Sequence, residues 1–356
     1  MFDEKTQAIR RGGIGASETP CLFKECVKTR KYLTPIQLFQ RKLGLVVETE
    51  EENLYAERGL ALEPMVANRF MRKFKCNLID PRDVFAETNG ILVHPEYPWM
   101  MATLDRWEEG SYQPVQIKCL TWDQKDDFGE DGEEKVLIDY RIQCMKELGI
   151  MRDWLYSQGT RESVLPELSY LPVQFDDRSM TMVCPIIEWD KNLWNAIVAA
   201  DSAFWLDHVM TGTPPPPDDT EAYTDYLIEQ TDMNSVEVVE VSDEETNRWA
   251  AQYVQAKEVI KRANEIASVA KQKILVKMAG KPKLHGAFGR MTMVGGKEKP
   301  HTDWQGVAMA MNPTAEIVAQ FTDIKTSAQY PRLTPDKKWL EALPYRSVQL
   351  LENPNE

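Results

Sequence analysis

The segment Met101–Leu120, MATLDRWEEGSYQPVQIKCL, constrains this chain more than any other. It reads as two short strands around a turn, with one acid, Asp105, set a strand's length ahead of Gln116-Ile117-Lys118. Side chains alternate along a strand, which predicts Gln116 and Lys118 on one face and Ile117 in the core. An oxygen ligand and an ammonium group would then share a pocket near Asp105, an arrangement suited to a divalent cation. On these residues alone, a surface hairpin with a solvated Lys118 fits as well.

At 356 residues the chain exceeds a typical domain of roughly 100–200 residues, so a large domain with an appendage, or two domains, is expected. Its hydrophobic content of 43%, with 10 Trp and 12 Tyr, supports a substantial core. No apolar run approaches the roughly 18 residues of a membrane span. The N-terminal MFDEKTQAIRR puts charges where a secretory leader needs an apolar stretch, so a cytoplasmic location is expected. Six cysteines without CxxC spacing argue against structural zinc and clustered iron–sulfur ligands, and favour reduced buried thiols.

The net charge of -14 is unfavourable for a polyanion partner taken as a total, but its distribution is uneven. Residues 1–75 are mildly basic, Asp218 to Glu245 holds acids without Lys or Arg, and Lys257 to Lys299 is basic again. A local positive surface is what binds phosphate.

Pro214 to Pro217 cannot continue a helix or central strand, and places a domain cut near residue 215. The expected organisation is residues 1–215, an acidic linker over 216–241 and an extension over 242–356. Before the cut, residues 33–44, 54–75, 139–148 and 191–210 read as helices, and 91–93, 102–107, 115–120 and 181–187 as strands. This is an α/β pattern of a modest sheet flanked by helices. After it, Ser242-Asp243-Glu244-Glu245 has the form of a capping box ahead of a long helix. Trp249, Tyr253, Ala256, Ile260, Ala263, Ala267, Ala270 and Ile274 make a heptad-like stripe, suited to a helix of the same chain or of a neighbour. A hairpin is expected at Phe288 to Val294 with Gly295-Gly296.

Two further segments bear on chemistry. GLALEPMVANRF puts Glu63 on a helix, where its carboxylate could reach a cation held by Asp105, or lie exposed. Arg10-Arg11-Gly12-Gly13-Ile14-Gly15-Ala16-Ser17-Glu18 combines guanidinium, Gly-rich backbone and a hydroxyl, groups that suit a phosphate, although a capped helix explains it too.

In order and spacing, RRGGIGASE, ERGLALEP, HPEYPWMMATLDRW, VQIKCL and YRIQCMKELGI resemble the phage lambda exonuclease and YqaJ recombinase family, within the PD-(D/E)xK nucleases. The resemblance covers roughly residues 8 to 150. It implies a PD-(D/E)xK core, a central mixed sheet flanked by helices, followed here by a C-terminal extension with a long helix. Glu63, Asp105 and Gln116 would hold Mg²⁺, for which Mn²⁺ can substitute, with the Ile117 carbonyl as a further ligand and Lys118 acting on the attacking water. Arg10, Ser17 and Thr103 would bind the 5′ phosphate of a DNA end, Thr103 standing where the family has Ser. Tyr140 and Gln143 would line the site, Gln143 among the catalytic residues.

The implied activity is 5′ to 3′ digestion of duplex DNA, leaving 3′ single strands for an annealing protein in phage or mobile-element recombination. A homo-oligomer, a ring trimer by resemblance, in a bacterial or phage-infected cell is the corresponding expectation. Alternatives are a DNA-end-binding or partner-binding protein with a weakened site, and an endonuclease or defence nuclease on the same core. Two departures stand out: Leu104 where the family has Pro, and neutral Gln116 where it has an acid. An amide keeps an oxygen but loses a charge that a hard cation prefers, so Gln116→Glu is expected to bind Mg²⁺ more tightly.

Overall fold

The computed structural model describes residues 4–46, 54–176, 178–230, 243–294, 298–302, 322–326 and 330–335. Two compact units make up the chain, Met1–Ser235 and Val236–Glu356.

The first unit opens with α1 (Glu4–Arg11), a Gly-rich turn, a 3-10 turn at Thr19–Leu22, α2 (Val27–Arg30) and α3 (Pro35–Lys42). Thr34 and Gln37 form a reciprocal capping box that starts α3 at Pro35. Then come α4 (Leu54–Phe74), β1 (Leu78–Ile79), α5 (Pro81–Val84), β2 (Ile91–Val93), β3 (Met101–Thr103), β4 (Arg106–Glu108), β5 (Pro114–Val115) and β6 (Lys118–Leu120). After α6 (Ile138–Ser157) come β7 (Leu168–Tyr170), β8 (Val173–Phe175), β9 (Met182–Val183), β10 (Ile186–Glu188), α7 (Lys191–Ala203), a π-helical turn at Phe204–Val209 and α8 (Glu221–Glu229).

The largest sheet has the order β1-β4-β5-β7-β10 and is mixed, since β5 and β7 run parallel while its other pairs are antiparallel. A second sheet, β6-β8-β9, continues beside it, and β2 pairs with β3. This is the expected α/β architecture, with shorter strands than the sequence suggested. The stretch 115–120 divides into β5 and β6, 102–107 into β3 and β4, and 181–187 into β9 and β10. Pro172 and Pro185 lie between strands, where a residue without an N–H interrupts a ladder. Gln116 still donates its N–H to Tyr170 O at 2.9 Å and Lys118 to Pro172 O at 3.0 Å, so the chain steps from one sheet to the next without losing these bonds.

α6 runs through the main core and is buried on nearly every side over Ile142 to Arg152. It is also longer than expected, because Gly149 does not end it. There the helix passes under the Trp194 ring of α7, and a Cβ at 149 would lie 2.3–2.6 Å from ring atoms. Gly to Ala in a helix ordinarily gains about 1 kcal/mol, but here a clash with a packed ring dominates. Gly149→Ala is therefore expected to cost a net of about 1–3 kcal/mol in urea unfolding.

The first unit extends beyond the proline run, a correction to the expected cut at 215. Tyr223 of α8 is buried with Phe39 and Phe204 and donates its hydroxyl to Pro215 O at 2.7 Å. Asp218 pairs with Arg30 at 3.0 Å. The start of the acidic segment is thus folded against α2 and α3 instead of serving as a solvated linker; residues 231–242 lie outside the described residues.

The second unit holds α9 (Glu244–Met278), the antiparallel hairpin β11 (Lys283–Gly286) and β12 (Gly289–Val294), the pair β13 (Glu298–Thr302) and β14 (Thr322–Thr326), and β15 (Tyr330–Pro335), which pairs with β12. The helix cap is Asp243, whose side chain accepts from Thr246 N at 2.7 Å, in place of the expected Ser242 box; Ser242 lies outside the described residues, as do Gly295 and Gly296. Along the heptad-like stripe Trp249, Tyr253 and Ile260 are each more than half exposed. Among the described residues, no helix is long and apolar enough to cross a membrane.

Candidate active site

The break between β5 and β6 organises the site. Asp105 lies between β3 and β4, and its Oδ2 accepts the Ile117 N–H at 2.7 Å. That side chain occupies the donor that a continuous strand would have used for its ladder. Desolvation pushes the Asp105 carboxyl up to about 6, against the nearby Lys118 ammonium, which pulls it down, and Glu63, which adds to the rise. Ile117 packs under α4 with Val66 and Phe70, as its core position predicts. Lys118 points its ammonium over the Tyr140 ring, 5.3 Å from the centroid. Lys28 also holds Tyr140, donating to the phenol oxygen at 2.9 Å. Glu63 on α4 is engaged by Arg106 at 2.8 Å, and Arg106 also reaches Asp80 at 3.3 Å.

The Gly-rich segment is not a free turn. Ile14 bridges to Met100, and Lys146 of α6 donates to Ile14 O at 2.7 Å, Thr19 Oγ1 at 2.9 Å and Asp201 Oδ2 at 2.5 Å. On the other flank, Lys42 donates to Arg10 O at 2.9 Å and Glu18 Oε2 at 2.7 Å, and Glu18 accepts from Gly15 N at 2.6 Å. Two lysines therefore fix the backbone between Arg10 and Thr19. The expected helix start at Ser17 is instead a turn leading into the 3-10 segment.

Arg10, Ser17, Thr103 and Gln143 line one small cavity of about 40 Å³. Four residues expected at the site, from three separate segments, thus converge. The same cavity is lined by Glu147, which the sequence reading missed. Its only signal was the spacing Gln143-x-x-x-Glu147, one helical turn, on a helix with no polar face to give it contrast. Gln143 donates to Glu147 Oε1 at 2.9 Å, while Oε2 is buried without a hydrogen-bond partner. The Gln116 side chain, 5% exposed, also has its Oε1 buried without a partner. Burial pushes Glu147 up to about 8, with Asp105 the second cause.

Among the described residues no three His, Cys, Asp or Glu side chains gather closely enough to form a ready-made metal cage. Yet the donor set fits a hard divalent cation. It consists of oxygens, two of them buried and unsatisfied, beside a carboxylate that burial keeps from ionising freely. The cysteines do not enter this set: Cys21, Cys26, Cys144 and Cys184 are buried free thiols.

Both raised acids imply a pH dependence. A carboxyl whose folded pKa lies above its unfolded value of about 4 stabilises the fold most when protonated. That contribution is fully present below about pH 4 and is lost as pH rises through about 6 for Asp105 and about 8 for Glu147. In metal-free buffer, the part of the stability–pH curve that falls between pH 6 and 8 should flatten in Glu147→Gln, as read by urea midpoints. An unchanged slope would contradict this assignment.

Comparison with known proteins places this geometry in context. An uncharacterized protein, YqaJ of Bacillus subtilis (strain 168), is 28% identical over 220 residues, which cover 61% of this chain and 60% of that protein. The chain thus matches less than two thirds of that relative's length. A crystal structure of an alkaline exonuclease from Laribacter hongkongensis aligns with 64% of this chain and 100% of that one at 19% identity and a TM-score of 0.42. The structure of a phage-related exonuclease from Haemophilus somnus 129PT aligns with 61% of this chain and 96% of its own at 13% identity and a TM-score of 0.36. Residues 6–152, which include Arg10, Asp105, Lys118 and Glu147, match the family model of the YqaJ-like viral recombinase domain.

Proposed function

We propose that this chain is a divalent-metal-dependent exonuclease that digests duplex DNA from a 5′ end. The observation that carries the reading is the convergence of Arg10, Ser17, Thr103 and Gln143 on one cavity that also meets Glu147, an acid coupled to Asp105. Arg10 with the two hydroxyls offers charge-assisted and neutral donors to a terminal phosphate, and the fixed backbone around Ile14 holds them in place. Glu63, Asp105, Gln116 and the Ile117 carbonyl would hold Mg²⁺ or Mn²⁺. When bound, the ion supplies charge neutralisation at the scissile phosphate and acidifies the attacking water. Lys118, which lies over the Tyr140 ring, would orient that water.

The product, a 3′ single strand, suits hand-over to an annealing protein during recombination, and a ring-shaped homo-oligomer would retain the enzyme on its substrate. The deciding experiment incubates linear duplexes, labelled at each end and with or without 5′ phosphate, with Mg²⁺. Label should leave first from the phosphorylated 5′ end. Loss from the 3′ end, or equal cutting of circular DNA, would defeat the proposal. A second reading, binding of DNA ends without cutting, is favoured by neutral Gln116 alone. It would be supported if neither the native chain nor Gln116→Glu cleaved with Mg²⁺ or Mn²⁺.

A further inference from the structure

Gln116 leaves the expected metal site short of one negative charge, and the fold supplies a carboxylate from another direction. Glu147 is 1% exposed, and one of its oxygens has no hydrogen-bond partner. A buried acceptor left unpaired is costly, more so when it can carry charge, so an unpartnered carboxylate calls for a ligand. Asp105, Lys118, Lys146 and Cys144 act on it electrostatically, and Arg10 and Glu18 line the same cavity. Of the two lysines, Lys146 spends its donors on Ile14, Thr19 and Asp201, and Lys118 sits over Tyr140. Neither forms an ion pair with Glu147 among the described residues. Gln143, one turn earlier on α6, donates to Oε1 and leaves Oε2 unpartnered, and both residues line the cavity. Gln116 Oε1 is likewise buried and unpartnered.

We infer that Glu147 is a third anionic ligand of the divalent cation beside Glu63 and Asp105, taking from helix α6 the role that the strand position 116 cannot fill as an amide. The inference rests on the metal-nuclease reading and deepens it. On this account Gln116 is one half of an exchange: the charge sits on the helix, the neutral oxygen on the strand, and the total matches a site with an acid at 116. It also accounts for Glu147 in a cavity that Arg10, Ser17 and Thr103 line, because a cation between carboxylate and phosphate removes their repulsion.

The test is a double-mutant cycle on the full chain, with Mn²⁺ binding followed by the electron paramagnetic resonance signal of free Mn²⁺, in the absence of DNA. Glu147→Gln should bind Mn²⁺ about tenfold more weakly or worse, and Mn²⁺ should no longer raise its melting temperature. Because Gln keeps the shape and can still meet Gln143, its melting temperature without metal should be at or above that of the native chain. Adding Gln116→Glu to Glu147→Gln should restore binding to near the native level, a larger gain than the same change gives alone. Glu147→Asp, which keeps the charge but shortens its reach, should fall between the two and guards against misfolding of the amide variant. Equal Mn²⁺ affinity in the native chain and Glu147→Gln would overturn the inference while leaving the nuclease reading intact. Absence of Mn²⁺ binding by the native chain would overturn both.

Discussion

Asp105→Asn is expected to lower DNA cleavage by about 100-fold to 1,000-fold or more while leaving the fold as stable as before. The two halves of that result have separate causes. The amide oxygen of Asn can still accept the Ile117 N–H that Asp105 Oδ2 takes at 2.7 Å, so the junction between β5 and β6 survives. The substitution also removes a carboxyl that is desolvated in the fold, which relieves a cost. What disappears is the negative charge near Lys118. Single-turnover cleavage of a 5′-phosphorylated duplex and a urea melt on the same preparation measure both halves. A parallel loss of stability would show that Asp105 is a structural joint first, and cleavage within a few-fold of native would remove it from the proposed chemistry.

Lys146→Met should destabilise the first unit by about 3–5 kcal/mol, the range for breaking a buried ion pair from one side. Lys146 and Asp201 are fully buried and meet at 2.5 Å. Burial lowers the Lys146 pKa and raises that of Asp201, and the charge of each partner opposes the shift of the other, with the Thr19 hydroxyl adding a hydrogen bond to Asp201. Met fills the volume but leaves the Asp201 carboxylate, the Thr19 hydroxyl and Ile14 O without their shared donor. Adding Asp201→Leu should recover part of the loss, since an apolar pair can replace a buried ionic one. The loss extends to function: with Ile14 O released, Arg10 and Ser17 should grip a terminal phosphate less well, raising KM more than lowering kcat. Equilibrium unfolding and steady-state kinetics of the single and double variants check both points, and a change below 1 kcal/mol would mean that the network contributes little.

The elements that were legible in the sequence are those with strong local signals. Thr34-Pro35 with Gln37 announces α3, the Leu54 to Phe74 stretch keeps its helical period, and Asp190 caps α7 by accepting from Asn192 and Leu193. Asp105 and Lys118 were legible because their spacing carries the chemistry. Legibility failed where tertiary contacts override local pattern. β7 and β8 lie in LSYLPVQF, where Pro172 breaks the alternation, yet pairing with β5 and β6 makes strands of both halves. The proline run looked like a boundary because nothing local shows Tyr223 folding back on Pro215. Glu147 and Lys146 were hidden for a related reason. On a helix buried on every side no amphipathic contrast marks a functional residue, and both resemble ordinary surface charges until the fold encloses them.

That absence of a solvent-facing side on α6 bears on how the site can change. Gln143, Glu147 and Lys146 share a helix with Met145, Leu148 and Gly149, so nearly every substitution there is read by the core as well as by the cavity. Adaptation to a new DNA end should therefore proceed through Arg10, Ser17 and Thr103, which line the cavity from outside α6, Ser17 and Thr103 exposed and Arg10 partly so. Randomised libraries confined to those three positions should retain many folded members, whereas libraries on α6 should yield few, and those few should differ in stability before they differ in specificity.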